Sequence, residues 1–586
     1  MKRLKLDVYK LLRHAALAFL AAGMLVSCAT PDKQPGAETA IPDVPAETGP
    51  AAAVSAVPAQ PLTEELVYDI LLAEIAGQRG QLDVSAPHYL QAALEASDPR
   101  VAERAVQVAS YGKQYDIARK AAHRWVELDP DNIEARKELL KLSLHTGTLD
   151  EVIEQLDYLQ QLTSSPEQAY QLSTAVLASH PDSAAALDAA EQLAARHPED
   201  AYAHMTVCRI AVLADNLDRA LSAADRAVQL RPDLIPAVIL KAQILVRQDD
   251  KAAATRLLQE TVSRHPDNAK LHFAYGRMLL DTEDLEAAIV QFREVVKLDP
   301  GNDEALYSLA LLELETQRYA LGEKHLLQLL ERGQKAQSVY YYLGYAAAEQ
   351  GHNKQAIEWY DKVDSGEYWS QAQLRAARIL VKQGRVDDLR QRMLETQQNF
   401  PENAVELNLI EGEALYDGGQ YTAAFETYHR ALEANPANQD LLYARALAAE
   451  KLGQLEEAER DMRHILANDP DNVRTLNALG YTLADRTNRY DEALTYIQRA
   501  YAQKPDDPAI IDSMGWIHYR LGNLDEAQRY LQQAWELSRD GEIGAHYGEV
   551  LWMQGEQDAA RKIWAEAREN APDNPILLKV INQFNP

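Results

Sequence analysis

The stretch "LIEGEALYDGGQYTAAFETYHRALEANP", Leu409 to Pro436, decides the fold. It contains two runs in which apolar residues recur at i, i+3, i+4 and i+7, the period of a helix with one buried face. "DGG" separates the runs and "NP" ends the second, so each is bounded by residues that stop helices. Gly412, Ala424 and Ala431 are small, and Tyr428 among them is bulky. Small residues let two helices approach closely, and one large side chain fills the gap to the next pair. The stretch reads as a helix–turn–helix unit.

The unit recurs. Pro232, Pro266 and Pro300 are evenly spaced, Pro436 and Pro470 are separated by the same interval, and Pro505 follows just beyond it. "FAYGRMLLDTEDLEAAIVQFREVVKLDP" repeats the pattern of small and large residues with Gly276, Ala288, Phe292, Val295 and Pro300. "IDSMGWIHYRLGNLDEAQRYLQQAWEL" supplies Gly515, Trp516, Ala527, Leu531 and Ala534. "HYGEVLWMQGEQDAARKIWAEARENAP" supplies Gly548, Ala560, Trp564, Ala567 and Pro572. Strand signals are nearly absent. Spacing and side-chain order together resemble the tetratricopeptide repeat, a pair of helices that recurs about every 34 residues.

That resemblance implies an all-α superhelical solenoid. About fifteen frames fit between residues 65 and 574. Frames over 63–200 are degenerate, those over 201–574 are clean, and 575–586 carries Leu577, Val580, Ile581 and Phe584 on one face of a final helix. Such a helix suits a cap, because the last repeat otherwise leaves an apolar face open.

In this family the second, fifth, ninth, twelfth and thirteenth positions of each unit line a concave groove. The fifth positions are Phe273, Tyr307, Tyr341, Leu374, Leu409, Tyr443, Asn477 and Asp512. The ninth include Arg277, Tyr345, Arg378, Glu413, Tyr481 and Trp516. Phe273, Tyr307 and Tyr341 follow each other at the interval of the prolines and are expected to form an aromatic row. Rigid aromatics with arginine suit protein recognition. The partner-binding groove is therefore expected at Phe273, Arg277, Tyr307, Tyr341, Tyr345, Arg378, Tyr443, Tyr481 and Trp516. The alternative for each is ordinary packing between helices. The family's clamp for carboxyl-terminal peptides needs Lys and Asn where Tyr341, Tyr345, Leu409 and Glu413 stand, so that ligand is not expected.

Outside the repeats, "MKRLKLDVYKLLRH" is basic and "AALAFLAAGMLV" carries no charge. The apolar core is too short to span a bilayer and fits a signal peptide over residues 1–27. "LVSC", Leu25 to Cys28, resembles the lipobox of bacterial lipoproteins. That resemblance implies cleavage before Cys28, lipid on its sulfur and acylation of the new amino end; Ala29 after it, rather than aspartate, resembles an outer-membrane address. Two or more acyl chains anchor firmly. Residues 28–62 hold seven prolines and no aromatic residue, too little apolar surface to fold. They are expected to act as a tether reaching from roughly 30 Å as a coil to roughly 100 Å when extended.

Signals for catalysis are missing. The chain shows no metalloprotease helix, paired CxxC or phosphate loop. "IDSMG" lacks the first glycine of a nucleophile elbow and falls mid-helix, so Ser513 is expected to be a helix residue. "DPDN" at Asp129–Asn132 and Asp469–Asn472 is acidic enough for calcium, but it stands at inter-helix turns, where it ends one helix and caps the next. The second cysteine, Cys208, occupies the small slot held by Gly276 and Gly412 elsewhere, which suits a packed small hydrophobe better than a reactive thiol. No enzyme, cofactor or metal is expected. A net charge of −30, from 59 basic and 89 acidic residues, argues against a nucleic-acid partner.

Signal peptide, lipobox, tether and long array together resemble the Gram-negative tetratricopeptide lipoproteins that serve as adaptors for periplasmic carboxyl-terminal processing proteases. In that family the solenoid holds a serine protease and brings it cell-wall hydrolases. The other reading is a lipoprotein of an envelope assembly machine, serving outer-membrane protein insertion, pilus secretin assembly or polysaccharide export.

Overall fold

The computed structural model describes residues 61–147, 149–162, 165–334 and 336–584. Cys28, the signal segment and nearly all of the expected tether lie outside them. The described residues form 31 α-helices, one short 3-10 turn at Pro401–Asn403 and no strand. The all-α repeat architecture expected from the sequence is what forms.

The helices come in pairs, and the period is visible in their starting residues. First helices begin at Ala201, Ile235, Ala269 and Asp303, in equal steps that match the spacing of the prolines. The turns between pairs work by capping. Asn132 of the first "DPDN" accepts the backbone N–H of Glu134 and Ala135 at 3.0 and 3.1 Å. Asn472 of the second accepts that of Thr475 at 3.1 Å. Each occupies unpaired donors at a helix start. Ser513 lies inside helix Pro508–Arg520 and donates to the Ala509 carbonyl.

Within a pair, the small-and-large pattern makes the contact. A Cβ on Gly276 would fall 3.2 Å from the Phe292 ring, and one on Gly344 would fall 2.6 Å from that of Tyr360. Cys208 holds the same slot in helix Ala201–Leu213; it is 0% exposed, and burial pushes its thiol up to about 12.

The chain forms two compact units, one ending at Arg318 and one beginning at Tyr319. In the first, hydrophobic clusters run through successive pairs, among them one around Leu139, Ala118 and Trp125 and another around Phe292, Leu271 and Leu309. The second departs once from the regular unit. Its helix Asn353–Tyr360 has only 8 residues, shorter than every other second helix, and the next pair begins at Trp369, sooner after Gln337 than the regular step would place it. Val363 and Tyr368 from the turn that follows are buried, as is Trp369 at the start of the next helix. At the far end, helix Pro575–Phe584 buries Leu577 and Val580 and packs Ile581 and Phe584 on the cluster containing Trp564. It is the cap expected from its apolar face.

Candidate functional site

Every expected groove residue sits on the first helix of a pair, but the environments diverge. In the first unit Phe273 is half-buried and meets Phe292 edge-on at 5.7 Å, so part of its ring is core packing. Arg277 is half-buried; burial pushes its guanidinium down, opposed by the carboxylates of Glu304 and Asp281. Burial pushes the Glu304 carboxyl up, against the pull of Arg277. Tyr307 is half-buried. The same unit holds a cavity of about 660 Å³ with an apolar floor, lined among others by Tyr170, Tyr202, Met205, Arg209, Ile239 and Lys270. Sequence reasoning does not reach it, because part of its wall comes from the degenerate frames.

In the second unit the expected aromatic row loses a member. Tyr341 is 1% exposed. Tyr368 lies 4.9 Å from its ring and Tyr360 6.0 Å, while Gln371 and Arg375 of the next first helix bond its hydroxyl. The shortened helix explains the burial, since the turn that replaces its last residues delivers Tyr368 onto Tyr341. Tyr345 is also buried, against Tyr319 at 6.1 Å. Arg378 is exposed and tied to Glu413 at 2.9 Å and Asp417 at 2.5 Å. Tyr443 is half-buried beneath the Arg474 guanidinium, 4.1 Å from its ring centre.

Tyr481 and Trp516 come together, but as parts of an internal network. Trp516 is 8% exposed and stacks on His546 at 4.1 Å. It therefore belongs to the interior rather than to an accessible groove wall. His546 Nδ1 lies 3.0 Å from the Asp512 carboxylate, and the Tyr481 hydroxyl donates to Glu542 at 2.8 Å. The last bond joins helix Val473–Arg486 to helix Gly541–Met553, passing over the pair between them. Burial alone would push the His546 imidazole down. The Asp512 carboxylate, by its field and its hydrogen bond, with Glu542 and Glu549 adding to it, holds the imidazole above its ordinary value. Burial pushes the Glu542 carboxyl up, and the field of Asp512 adds to it. His546 and Glu542 escape the sequence reading because they are neither fifth nor ninth positions in a recognised register.

This arrangement offers surfaces and internal braces. Among the described residues no group of three or more His, Cys, Asp or Glu side chains is placed to hold a metal ion.

Likeness to known proteins follows the repeats. A family model described as the cytochrome c-type biogenesis protein H TPR domain matches residues 190–306. Tetratricopeptide-repeat models match 307–372, 374–439 and 443–508, and another matches 486–544. A TPR repeat-containing protein of Pseudomonas aeruginosa is 45% identical over 212 residues, 36% of each chain. The human protein O-mannosyl-transferase TMTC1 is 26% identical over 174 residues, 28% of this chain and 19% of that one. The chain thus spans about a third or less of the length of these relatives. Among solved structures, a thermophilic TPR protein of Thermus thermophilus is 27% identical over 31% of this chain and 97% of its own, with a TM-score of 0.29. The chain is a tetratricopeptide-repeat protein, with recognised repeat domains over residues 190–544.

Proposed function

We propose that this protein is a scaffold held by lipid at the periplasmic face of an outer membrane, where its repeats bind proteins. The observation that carries the reading is the combination of a long array of paired helices with a cysteine, Cys28, placed between an apolar segment and a proline-rich one. Repeat arrays of this kind are extended binding surfaces rather than catalytic pockets. The cavity at Tyr170, Tyr202 and Ile239, with Arg209 and Lys270 among its lining, is suited to a peptide with apolar side chains.

The partners proposed are a periplasmic carboxyl-terminal processing protease and the peptidoglycan hydrolases it degrades. Holding both on one chain raises their effective concentration, which speeds cleavage without any bond-breaking by the scaffold. The test is capture on the full-length tagged chain from detergent-solubilised membranes, followed by mass spectrometry. A serine protease together with cell-wall hydrolases is the expected result. Recovery of barrel-assembly, secretin or polysaccharide-export proteins in their place would exclude the protease reading. The anchor has its own test: Cys28→Ala should leave the membrane fraction, and retention there would remove the lipid site.

A further inference from the structure

The first described helix, Glu64–Gln78, is apolar on two faces. One face buries Leu66, Ala73 and Ala76. The other carries Val67, Tyr68, Leu71 and Ile75, all exposed, and the exposed Leu62 stands just before the helix. Elsewhere among the described residues, exposed large apolar side chains such as Leu94, Tyr158, Val290 and Leu394 stand far apart. Single exposed apolar residues are ordinary, whereas a contiguous patch marks an interaction surface.

The repeat pattern identifies the face. Ala73 is the small residue of this pair: Ser85 donates to its carbonyl at 2.7 Å, and Tyr89 shares its buried cluster, as Phe292 lies against Gly276. In that register Tyr68 and Ile75 take the places of Leu271 and Met278 in helix Ala269–Asp281. Those two are 0% and 4% exposed, but Tyr68 and Ile75 are 62% and 47% exposed. Every later first helix packs against the second helix before it, and no helix precedes Glu64–Gln78 among the described residues. At the far end of the chain, helix Pro575–Phe584 covers the last pair. A terminal repeat needs such a cover.

The face suits one kind of cover. Glu64, Tyr68, Leu71, Ile75 and Gln78 follow each other at alternating steps of four and three residues, the seam along which one helix packs on another. Residues 28–62, with seven prolines, do not supply a helix, and residues 1–27 are removed on the anchored reading. The ends of the seam carry opposite charge, Glu64 and Glu65 at one and Arg79 at the other, all exposed. A second copy laid antiparallel about a two-fold axis at Leu71 sets Leu71 on Leu71, Tyr68 beside Ile75, and Glu64 beside Arg79. A parallel copy sets acid on acid. Lipid is a poorer match, since membrane-surface helices are basic on their polar side and this one carries Glu64, Glu65 and Glu74.

We infer that helix Glu64–Gln78 is the contact through which two copies of this chain pair, each closing the open end of the other's array. This goes beyond the scaffold reading and takes from it only the removal of residues 1–27. Both anchors can share one membrane. The antiparallel helix starts lie about 22 Å apart, at about 1.5 Å per residue, and the tether reaches roughly 30 Å even as a coil. Five side chains a copy are far fewer than the roughly 20 residues a side of a standard interface, so the pair should be reversible.

The chain has two cysteines, Cys28 at the proposed lipid site and the fully buried Cys208. Leu71→Cys in the full chain therefore adds one reachable thiol. Oxidation of isolated membranes with copper phenanthroline should give a covalent dimer of twice the chain mass. Val290→Cys, comparably exposed, should give none. Tyr68→Cys and Ile75→Cys chains made together should cross-link to each other more than either does to itself. Ile75→Glu added to Leu71→Cys removes an apolar contact from both copies and should lower the yield about tenfold or more. All these positions are exposed, so the fold does not depend on them. Equal cross-linking at Leu71 and Val290, a yield that survives Ile75→Glu, or a cross-link to a different protein overturns the inference. Two further outcomes overturn it: a monomer whose Leu71→Cys takes up maleimide only after detergent is added, which names lipid as the cover, and one that takes up none even then, which names the chain's own N-terminal residues. A cross-link in the unsubstituted chain reports a free Cys28 and counts against the anchor alone; the comparison is then made in Cys28→Ala.

Discussion

Two clusters in the second unit are built from the same parts and are completed differently. Near helix Gly541–Met553, a cation and aromatic rings are packed with the acids they need: His546 with Asp512, Tyr481 with Glu542, and Trp516 stacked on the imidazole. Near helix Trp369–Lys382, a guanidinium and three tyrosines are packed with no acid. The first network has its charges matched within the chain and braces three successive pairs. The second holds its cation on aromatic rings and a neutral hydroxyl. Aromatic and charged residues on first helices therefore do not by themselves mark a binding surface.

The largest effect should come from breaking the matched cluster. Asp512→Ala leaves His546 buried without its partner, and removing one member of such a pair costs about 3 kcal/mol. The measurement is urea unfolding followed by tryptophan fluorescence, which Trp516, Trp535, Trp552 and Trp564 report from this end of the chain. A loss no larger than that of an ordinary surface substitution would mean that the network is not a brace. Next in size is Tyr481→Phe, which removes the hydrogen bond to Glu542 and should cost about 1–2 kcal/mol in the same measurement.

The matched cluster should also respond to pH with a definite sign. The folded chain holds His546 above 6.5, so its contribution is full below that value and is lost as pH climbs through the folded pKa. Glu542 and Glu549 are raised above 4.5, so the fold favours their protonated forms, and that contribution too declines as pH rises. All three act in one direction. The thermal midpoint should fall as pH rises above 6.5, and Asp512→Asn should flatten the slope. A midpoint rising over that range would contradict the charge assignment.

The contrast also shows what the amino-acid order can disclose. The pairing of Gly276 with Phe292 and Gly344 with Tyr360 is readable, because it depends on contacts inside one repeat at a fixed separation. The capping by Asn132 and Asn472 is readable for the same reason. The fate of Tyr341 is not. It is decided by helix Asn353–Tyr360 stopping after 8 residues, which brings in Tyr368. Trp516 departs from its expected place because its cover comes from His546 on the next pair, and Tyr481 finds Glu542 a full 61 positions away. Frame positions tell which helix carries a residue. They do not tell which neighbour covers it, and here that cover separates core from candidate surface.

The smallest expected effect is the most informative one. Arg375 has no carboxylate to lose, so replacing it with methionine leaves no acid unpaired and retains an apolar side chain for Tyr341 and Tyr345 to pack on. Against that stands the loss of one hydrogen bond to the Tyr341 hydroxyl, worth about 1 kcal/mol, and of weak ring contacts. These losses are small, so the unfolding free energy of Arg375→Met in urea should stay within about 1 kcal/mol of the wild type. Asp512→Ala measured beside it should fall well below. If both substitutions destabilise equally, Arg375 is a structural brace like His546, and the distinction between the acid-paired and the acid-free cluster disappears.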